Sequence, residues 1–206
     1  PITAGVYRFC GTGRTGAKQQ HWSLILKIVQ WQDLTDWLGR DFSAIPENVT
    51  YWKREALVFQ LKILDDCTEG LVPVRCFDVV EKGADTIWLW FEDLQEAADF
   101  EWNLDRHILA ARHFGQFNGA HIERSLDFLP WIHSNSSFLK LFTDALYRRE
   151  NALKKPDVMQ HPIVQKPFPQ SIIDRWMRVL DSRDIILNRL DGLTQTLSHQ
   201  DTDKRN

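Results

Sequence analysis

The hydrophobic pattern of this chain changes character at Glu92-Asp93-Leu94, and this change constrains the fold more than any other feature. Before it, four segments rich in apolar and β-branched residues predict strands, and one segment predicts a helix. After it, apolar residues recur at helical spacing as far as Leu190. Strands followed by helices predict an α+β fold with two lobes. We place the first lobe at residues 1–94 and the second at 95–206.

The first part of the chain predicts a small sheet with one helix beside it. The predicted strands are Val6–Phe9, Trp22–Val29, Val74–Val80 and Thr86–Phe91. The short turn Glu81–Asp85 joins the last two strands, so they are expected to form a hairpin. Tyr51–Asp65 carries apolar residues at helical spacing and predicts the helix.

The second part predicts three helices and a proline-bearing connection. The predicted helices are Trp102–Ile122, Ser136–Leu153 and Ser171–Leu190. Four prolines within residues 154–170 predict a connection between the last two helices. The run Leu193–Leu197 is a candidate strand before the polar end of the sequence.

Composition narrows the functional classes. Of 206 residues, 43% are hydrophobic and 26% are charged, as in ordinary soluble globular proteins. The formal net charge of −3 argues against a nucleic-acid partner, which would require a surplus of Lys and Arg. No apolar run approaches the roughly 20 residues that cross a bilayer, so no membrane partner is expected. Three scattered cysteines without metal-type spacing, and no recognisable secretory leader, predict a cytoplasmic location.

Gly11, Gly13 and Gly16 form a G-x-G-x-x-G sequence. In dinucleotide-binding folds this motif follows a strand and opens a helix. Here a predicted strand follows it and no helical pattern begins. A Walker phosphate loop is excluded because the run does not end in Gly-Lys-Ser/Thr. We therefore interpret Gly11–His21 as a flexible hairpin connection between the first two strands.

Lys27 lies inside an otherwise apolar predicted strand. Because removing an ammonium group from water is costly, a lysine in such a strand is expected to have a partner or to extend from an edge. Glu55, on the predicted helix that follows, offers a carboxylate. The functional interpretation is a lysine that binds nucleotide phosphates and is held by Glu55. The alternative is a lysine reaching solvent from a strand edge and a solvated helix-face glutamate.

The segment from His199 to Asn206 has the spacing His-x-Asp-x-x-x-x-Asn. In phosphoryl-transfer catalytic loops with this spacing, the Asp accepts the proton of the attacking hydroxyl and the Asn ligates magnesium. The alternative is a frayed polar terminus. The order of features along the chain favours the catalytic loop. This segment follows a lysine on a strand, a glutamate on the next helix, a hinge-like strand and a helical part, in that order.

Together these segments resemble the aminoglycoside phosphotransferase and choline kinase type of small-molecule kinases, relatives of the protein kinase fold. The resemblance covers nearly all of the chain. Val6–Phe9 is similar to the second strand of the small lobe, and Trp22–Lys27 to the strand carrying the ATP lysine. Tyr51–Glu55 is similar to the start of the helix carrying its partner. Trp88–Leu94 is similar to the strand entering the hinge, and Ala110–Gly119 to the central helix of the large lobe.

The resemblance implies a protein-kinase-like two-lobe fold, truncated at both ends, with a small antiparallel-sheet N-lobe and a mostly helical C-lobe. It implies transfer of the γ-phosphoryl group of ATP, with Mg²⁺, to a hydroxyl of a small molecule. In this family the loop Asp, here Asp201, would orient or deprotonate the hydroxyl, His199 would support the loop, and Asn206 would bind magnesium. Lys27, held by Glu55, would bind the phosphates of ATP. The backbone of Glu92, Asp93 and Leu94 would bind adenine.

Gln200 stands where this family usually has Gly after the loop His. Gly permits backbone angles that Gln resists, so the alternative is a kinase-fold protein that binds a nucleotide or a partner without catalysis. The phosphate-covering loop and the second metal ligand are expected outside residues 1–206, so this segment alone is expected to be inactive.

The sequence does not identify the phosphate acceptor, which can be an antibiotic, a sugar or a choline-like alcohol, and it does not identify the oligomeric state. A metal hydrolase is disfavoured because His107, His113 and His121 lack the His-Glu-x-x-His spacing.

Overall fold

A four-stranded antiparallel sheet and several helices make up the part of the chain that the structure describes, so the predicted α+β class is confirmed. The structure is a computed structural model. It describes residues 3–33, 44–48, 50–65, 70–95, 101–122, 129–132, 139–140, 143, 155 and 161–197. No helix within these ranges is long and apolar enough to span a bilayer.

Strands and helices follow one another in the predicted order as far as the helix Leu104–Ala120, whereas the short helix Pro162–Gln165 lies in the segment that the sequence predicts as a connection. The strands are β1 (Thr3–Thr15), β2 (Lys18–Gln30), β3 (Cys76–Glu81) and β4 (Thr86–Glu92). The helices are α1 (Arg54–Gln60), α2 (Leu104–Ala120), α3 (Pro162–Gln165), α4 (Gln170–Asp181) and α5 (Arg183–Asp191). Leu139, Lys140 and Thr143 are also helical, which is the described part of the predicted helix Ser136–Leu153.

The sheet order is β1-β2-β4-β3, and every neighbouring pair is antiparallel. The central strand β2 pairs with β1 along its length and with β4 from Leu24 to Gln30. Residues 18–23 of β2 therefore pair with β1 alone, so the β1–β2 hairpin extends beyond the rest of the sheet. This sheet is compatible with the small lobe that the sequence predicts.

The predicted flexible connection Gly11–His21 is wrong in its extent. Both strands continue to a two-residue loop, Gly16-Ala17, and Gly16 has a φ of 63°, which Gly adopts without steric cost. Gly11 belongs to β1 because its missing side chain makes room for the ring of Trp22. A Cβ at Gly11 would lie 2.7 Å from that ring.

The core of the sheet lies on the face that α1 covers. Trp52 and Ala56 pack there against Val29, Ile87 and Leu89, all of them buried. The helix is shorter than predicted, because the chain turns after Gln60 and Lys62 has a φ of 53°, which no right-handed helix contains.

The chain forms two compact units. One comprises Pro1–Pro46, Thr50–Phe128 and Thr196–Asn206, and the other comprises Glu47–Val49 and Leu129–Gln195. In the second unit the predicted helix Ser171–Leu190 is divided at Ser182 into α4 and α5. The candidate strand Leu193–Leu197 has no regular structure, and Gln195 Nε2 instead donates to the carbonyl oxygens of Leu190 and Leu193. The lobe boundary at residue 94 stays a prediction.

Leu89→Ala is expected to lower the free energy of unfolding of the sheet unit by about 2–5 kcal/mol, because Leu89 is 0% exposed and its removal leaves a cavity. Leu104→Ala is the matched control, since Leu104 is 72% exposed and should change stability by less than about 0.5 kcal/mol. Urea unfolding followed by tryptophan fluorescence measures both. Equal midpoints for the two variants would contradict this packing.

Candidate functional site

Lys27 and Glu55 form an ion pair that joins β2 to α1. The Nζ atom of Lys27 lies 2.8 Å from Oε1 and 2.8 Å from Oε2 of Glu55. Side chains alternate along a strand, so Lys27 lies on the same sheet face as Val29, which packs in the core beneath α1. Glu55 lies in the first turn of α1, where exposed backbone N–H groups favour a carboxylate. The predicted pairing of these two residues is present.

The pair is half-buried. About a quarter of the Lys27 side chain is exposed (27%), as is 38% of the Glu55 side chain. Ion pairs this exposed contribute about 0–1 kcal/mol to stability, so stability alone does not account for a lysine in an apolar strand. An ammonium has three N–H donors, and solvent exposure leaves the group within reach of an anionic ligand.

A second ion pair lies at the end of β4, where sequence reasoning assigned only backbone roles. Asp93 Oδ1 lies 3.0 Å from Nη2 and 3.2 Å from Nε of Arg8 in β1. The Asp93 side chain is 3% exposed, whereas that of Arg8 is 59% exposed. The sequence analysis did not predict this contact between Arg8 and the segment after β4. The available signal was a charged residue two positions after Val6, and therefore on the same face of the predicted strand.

Glu92 is bound on the opposite side of the same segment. Its carboxylate Oε1 accepts a hydrogen bond from the backbone N–H of Arg75 at 2.7 Å, and its own backbone N–H donates to the Arg75 carbonyl at 3.0 Å. The side chain of Leu94 is exposed. The predicted hinge is thus held through Glu92 towards β3 and through Asp93 towards β1.

Cys76 is a thiol beside the ion pair that takes no part in it. Burial raises the pKa of this thiol, and the nearby Glu55 carboxylate adds a smaller effect in the same direction. The Sγ atom donates to the carbonyl oxygen of Asp78 at 3.4 Å. A thiol with a raised pKa stays protonated at neutral pH and is a poor nucleophile.

The residues expected to carry the chemistry, His199, Asp201 and Asn206, lie outside the described residues. The chain leading to them is described as far as Leu197, and the hydroxyl of Thr196 donates to the carbonyl oxygen of Asn118 near the end of α2. This bond fixes the approach to the motif against α2, the helix that the sequence analysis identified as central. The expected roles of the three residues stay predictions.

No metal cluster was found in the described part of the chain, where no three His, Cys, Asp or Glu side chains lie close enough to hold an ion. The expected magnesium ligand Asn206 is outside that part. His113 and His121 are instead engaged locally, the first with Gln116 and the second with the carbonyl oxygen of Phe117.

Comparisons with known proteins identify no family, since no family model, no curated protein and no solved structure matches this chain. The kinase resemblance therefore rests on the residues and contacts described above.

Alkylation should distinguish the two described cysteines. Cys10 is exposed, whereas Cys76 is partly buried with a raised thiol pKa, so less Cys76 thiolate is present at any given pH below that pKa. With iodoacetamide at pH 8, Cys10 is expected to react faster than Cys76, and the Cys76 rate should continue to rise as the pH passes 9. Peptide mass spectrometry measures each rate. Equal rates at pH 8 would contradict this arrangement.

Proposed function

We propose that this protein is an ATP-dependent phosphotransferase of the aminoglycoside phosphotransferase and choline kinase type, with a small-molecule hydroxyl as acceptor. The observation that carries the proposal is the Lys27–Glu55 ion pair, which lies on the face of the antiparallel sheet that α1 covers. The sheet order and the connection of β4 to a segment fixed at Glu92 and Asp93 add support.

The role proposed for Lys27 follows from charge. A nucleotide triphosphate brings several negative charges, which a fixed ammonium group neutralises without reorganisation. Glu55 keeps Lys27 in one position and thereby prevents the flexible side chain from turning to water. The residues present fit ATP in this respect, because the ammonium group is both fixed and partly exposed.

The reaction is an in-line displacement. The acceptor oxygen forms a bond to the γ-phosphorus, the bond from that phosphorus to the β–γ bridging oxygen breaks, and ADP leaves. Asp201 takes the hydroxyl proton, and His199 supports the loop that carries it. Mg²⁺ supplies charge neutralisation on the phosphates when bound, with Asn206 as one proposed ligand. The backbone of residues 92–94 binds adenine.

Lys27→Met should lower phosphotransfer by about a hundredfold, because one fixed positive charge is lost from the transition state. Glu55→Gln should have a smaller effect, since the lysine remains but is no longer held by a charge. Lys53→Met and Glu81→Gln are matched controls, because this more exposed pair, 3.9 Å apart, joins the residue before α1 to the end of β3 and does not include Lys27. The measurement is transfer of radiolabelled phosphate from ATP to a panel of small hydroxyl compounds with magnesium, using the full-length protein.

Unchanged phosphate transfer in Lys27→Met, or equal losses of transfer in Lys27→Met and Lys53→Met, would contradict the proposed role of Lys27. A loss confined to Lys27→Met and Glu55→Gln supports it.

Asp201→Ala separates the enzyme from the binding protein that Gln200 suggested as the alternative. The proposal predicts that this variant of the full-length protein loses phosphotransfer but still binds ATP, because Asp201 acts on the acceptor. Equilibrium dialysis with labelled ATP measures binding, and the transfer assay measures activity. Wild-type protein that binds ATP without transferring phosphate to any acceptor would favour the binding protein. Transfer that survives in Asp201→Ala would contradict the proposed mechanism.

A further inference from the structure

We infer that Arg8 is a positioning residue for the nucleotide base, acting through its ion pair with Asp93. The inference rests on the proposed function and extends it to a residue that neither the motif nor the resemblance assigned. It places two cation–carboxylate pairs on one face of the sheet, one for the phosphates and one for the base-binding segment.

The strand register places these groups. Arg8 lies opposite Ile25, and Ile25 lies opposite Phe91, two residues before Asp93. The Arg8 side chain therefore crosses β2 to reach the end of β4. Val6 lies opposite Lys27, so Arg8 and Lys27 are diagonal neighbours on the same sheet face.

Between the two cations, this face presents apolar side chains. Val6 is exposed and Ile25 is partly buried, and each lies opposite one of the two cations on the neighbouring strand. The flat aromatic base of a nucleotide can pack on such a surface, with the edge of the base towards residues 92–94 and the phosphates of the nucleotide towards Lys27. Arg8 lies beside the base edge in this arrangement and not among the phosphate ligands.

Burial shows which partner depends on the other. A carboxylate that is 3% exposed requires a charged or hydrogen-bonding partner, and the guanidinium of Arg8, 3.0 Å away, supplies it. Arg8, at 59% exposure, loses little hydration in doing so. Arg8 is the charged partner that the described residues give to Asp93, and without it a shift of this carboxylate towards water would displace the backbone at residues 92–94.

This dependence predicts a loss specific to the base. Arg8→Ala moves the backbone groups that bind adenine, whereas Lys27 and Glu55 keep their contact. The variant should therefore bind ATP more weakly and inorganic tripolyphosphate unchanged. A general loss of structure would weaken both ligands.

The experiment measures binding of magnesium–ATP and of magnesium–tripolyphosphate by calorimetry in the full-length protein. Arg8→Ala is expected to weaken ATP binding by about tenfold, the scale of one charge-assisted hydrogen bond, and to leave tripolyphosphate binding unchanged. Arg8→Lys should fall between wild type and Arg8→Ala, because it keeps the charge but not the planar donor geometry. Arg14→Ala, an exposed arginine on the same strand, should bind both ligands like wild type.

Each outcome decides one question. If ATP binds to wild type, Lys27→Met weakens both ligands and Arg8→Ala weakens ATP alone, the inference is supported. If Lys27→Met behaves in this way but Arg8→Ala leaves ATP binding unchanged, or weakens both ligands equally, the inference is overturned while the proposed function stands. If wild type binds neither ligand, the proposed function fails and the inference fails with it.

Discussion

The ion pair between Lys27 and Glu55 is the contact on which the proposed nucleotide site depends. It places a charged group in a strand whose neighbours are apolar, and it fixes α1 to β2 across the edge of the core. Core packing by Trp52 and Ala56 holds the helix against the sheet, and the ion pair adds a contact between the helix and β2. Because a half-exposed pair stabilises a protein little, its value lies in keeping one ammonium group in one place. That property suits the binding of a charged ligand.

The antiparallel register also fixes the positions of other side chains relative to the Lys27 ammonium group. Since β2 is paired on both sides, the positions of β1 and β4 are fixed relative to Lys27. The same register brings Arg8 to Asp93 and leaves Val6 and Ile25 on the face between the two ion pairs. On its other side, the end of β4 is held by Glu92 to the backbone of Arg75. The sheet therefore brings together a candidate site whose charged groups come from β1, β2, the end of β4 and one helix.

Sequence patterns predicted the strands, the first helix and the Lys27–Glu55 pairing, because alternation and helical spacing record which side chains face the core. They did not predict how far β1 and β2 extend, since Gly11 normally indicates a turn and its role here, making room for Trp22, depends on a cross-strand contact. The division at Ser182 was equally invisible, because apolar spacing continues through it. Arg8 was missed because its partner is 85 residues away and only the register brings them together. His199, Asp201 and Asn206 lie outside the described residues, so their roles still rest on the motif.

The most direct test of the central claim is a crystal structure of the full-length protein with magnesium and a non-hydrolysable ATP analogue. If Lys27 binds the phosphates, a phosphate oxygen of the analogue will lie within hydrogen-bonding distance of Lys27 Nζ, Glu55 will still contact the same nitrogen, and the base will lie against the backbone of residues 92–94. An analogue bound elsewhere, or a Lys27 that contacts Glu55 with no phosphate near it, would contradict the proposed role of this ion pair.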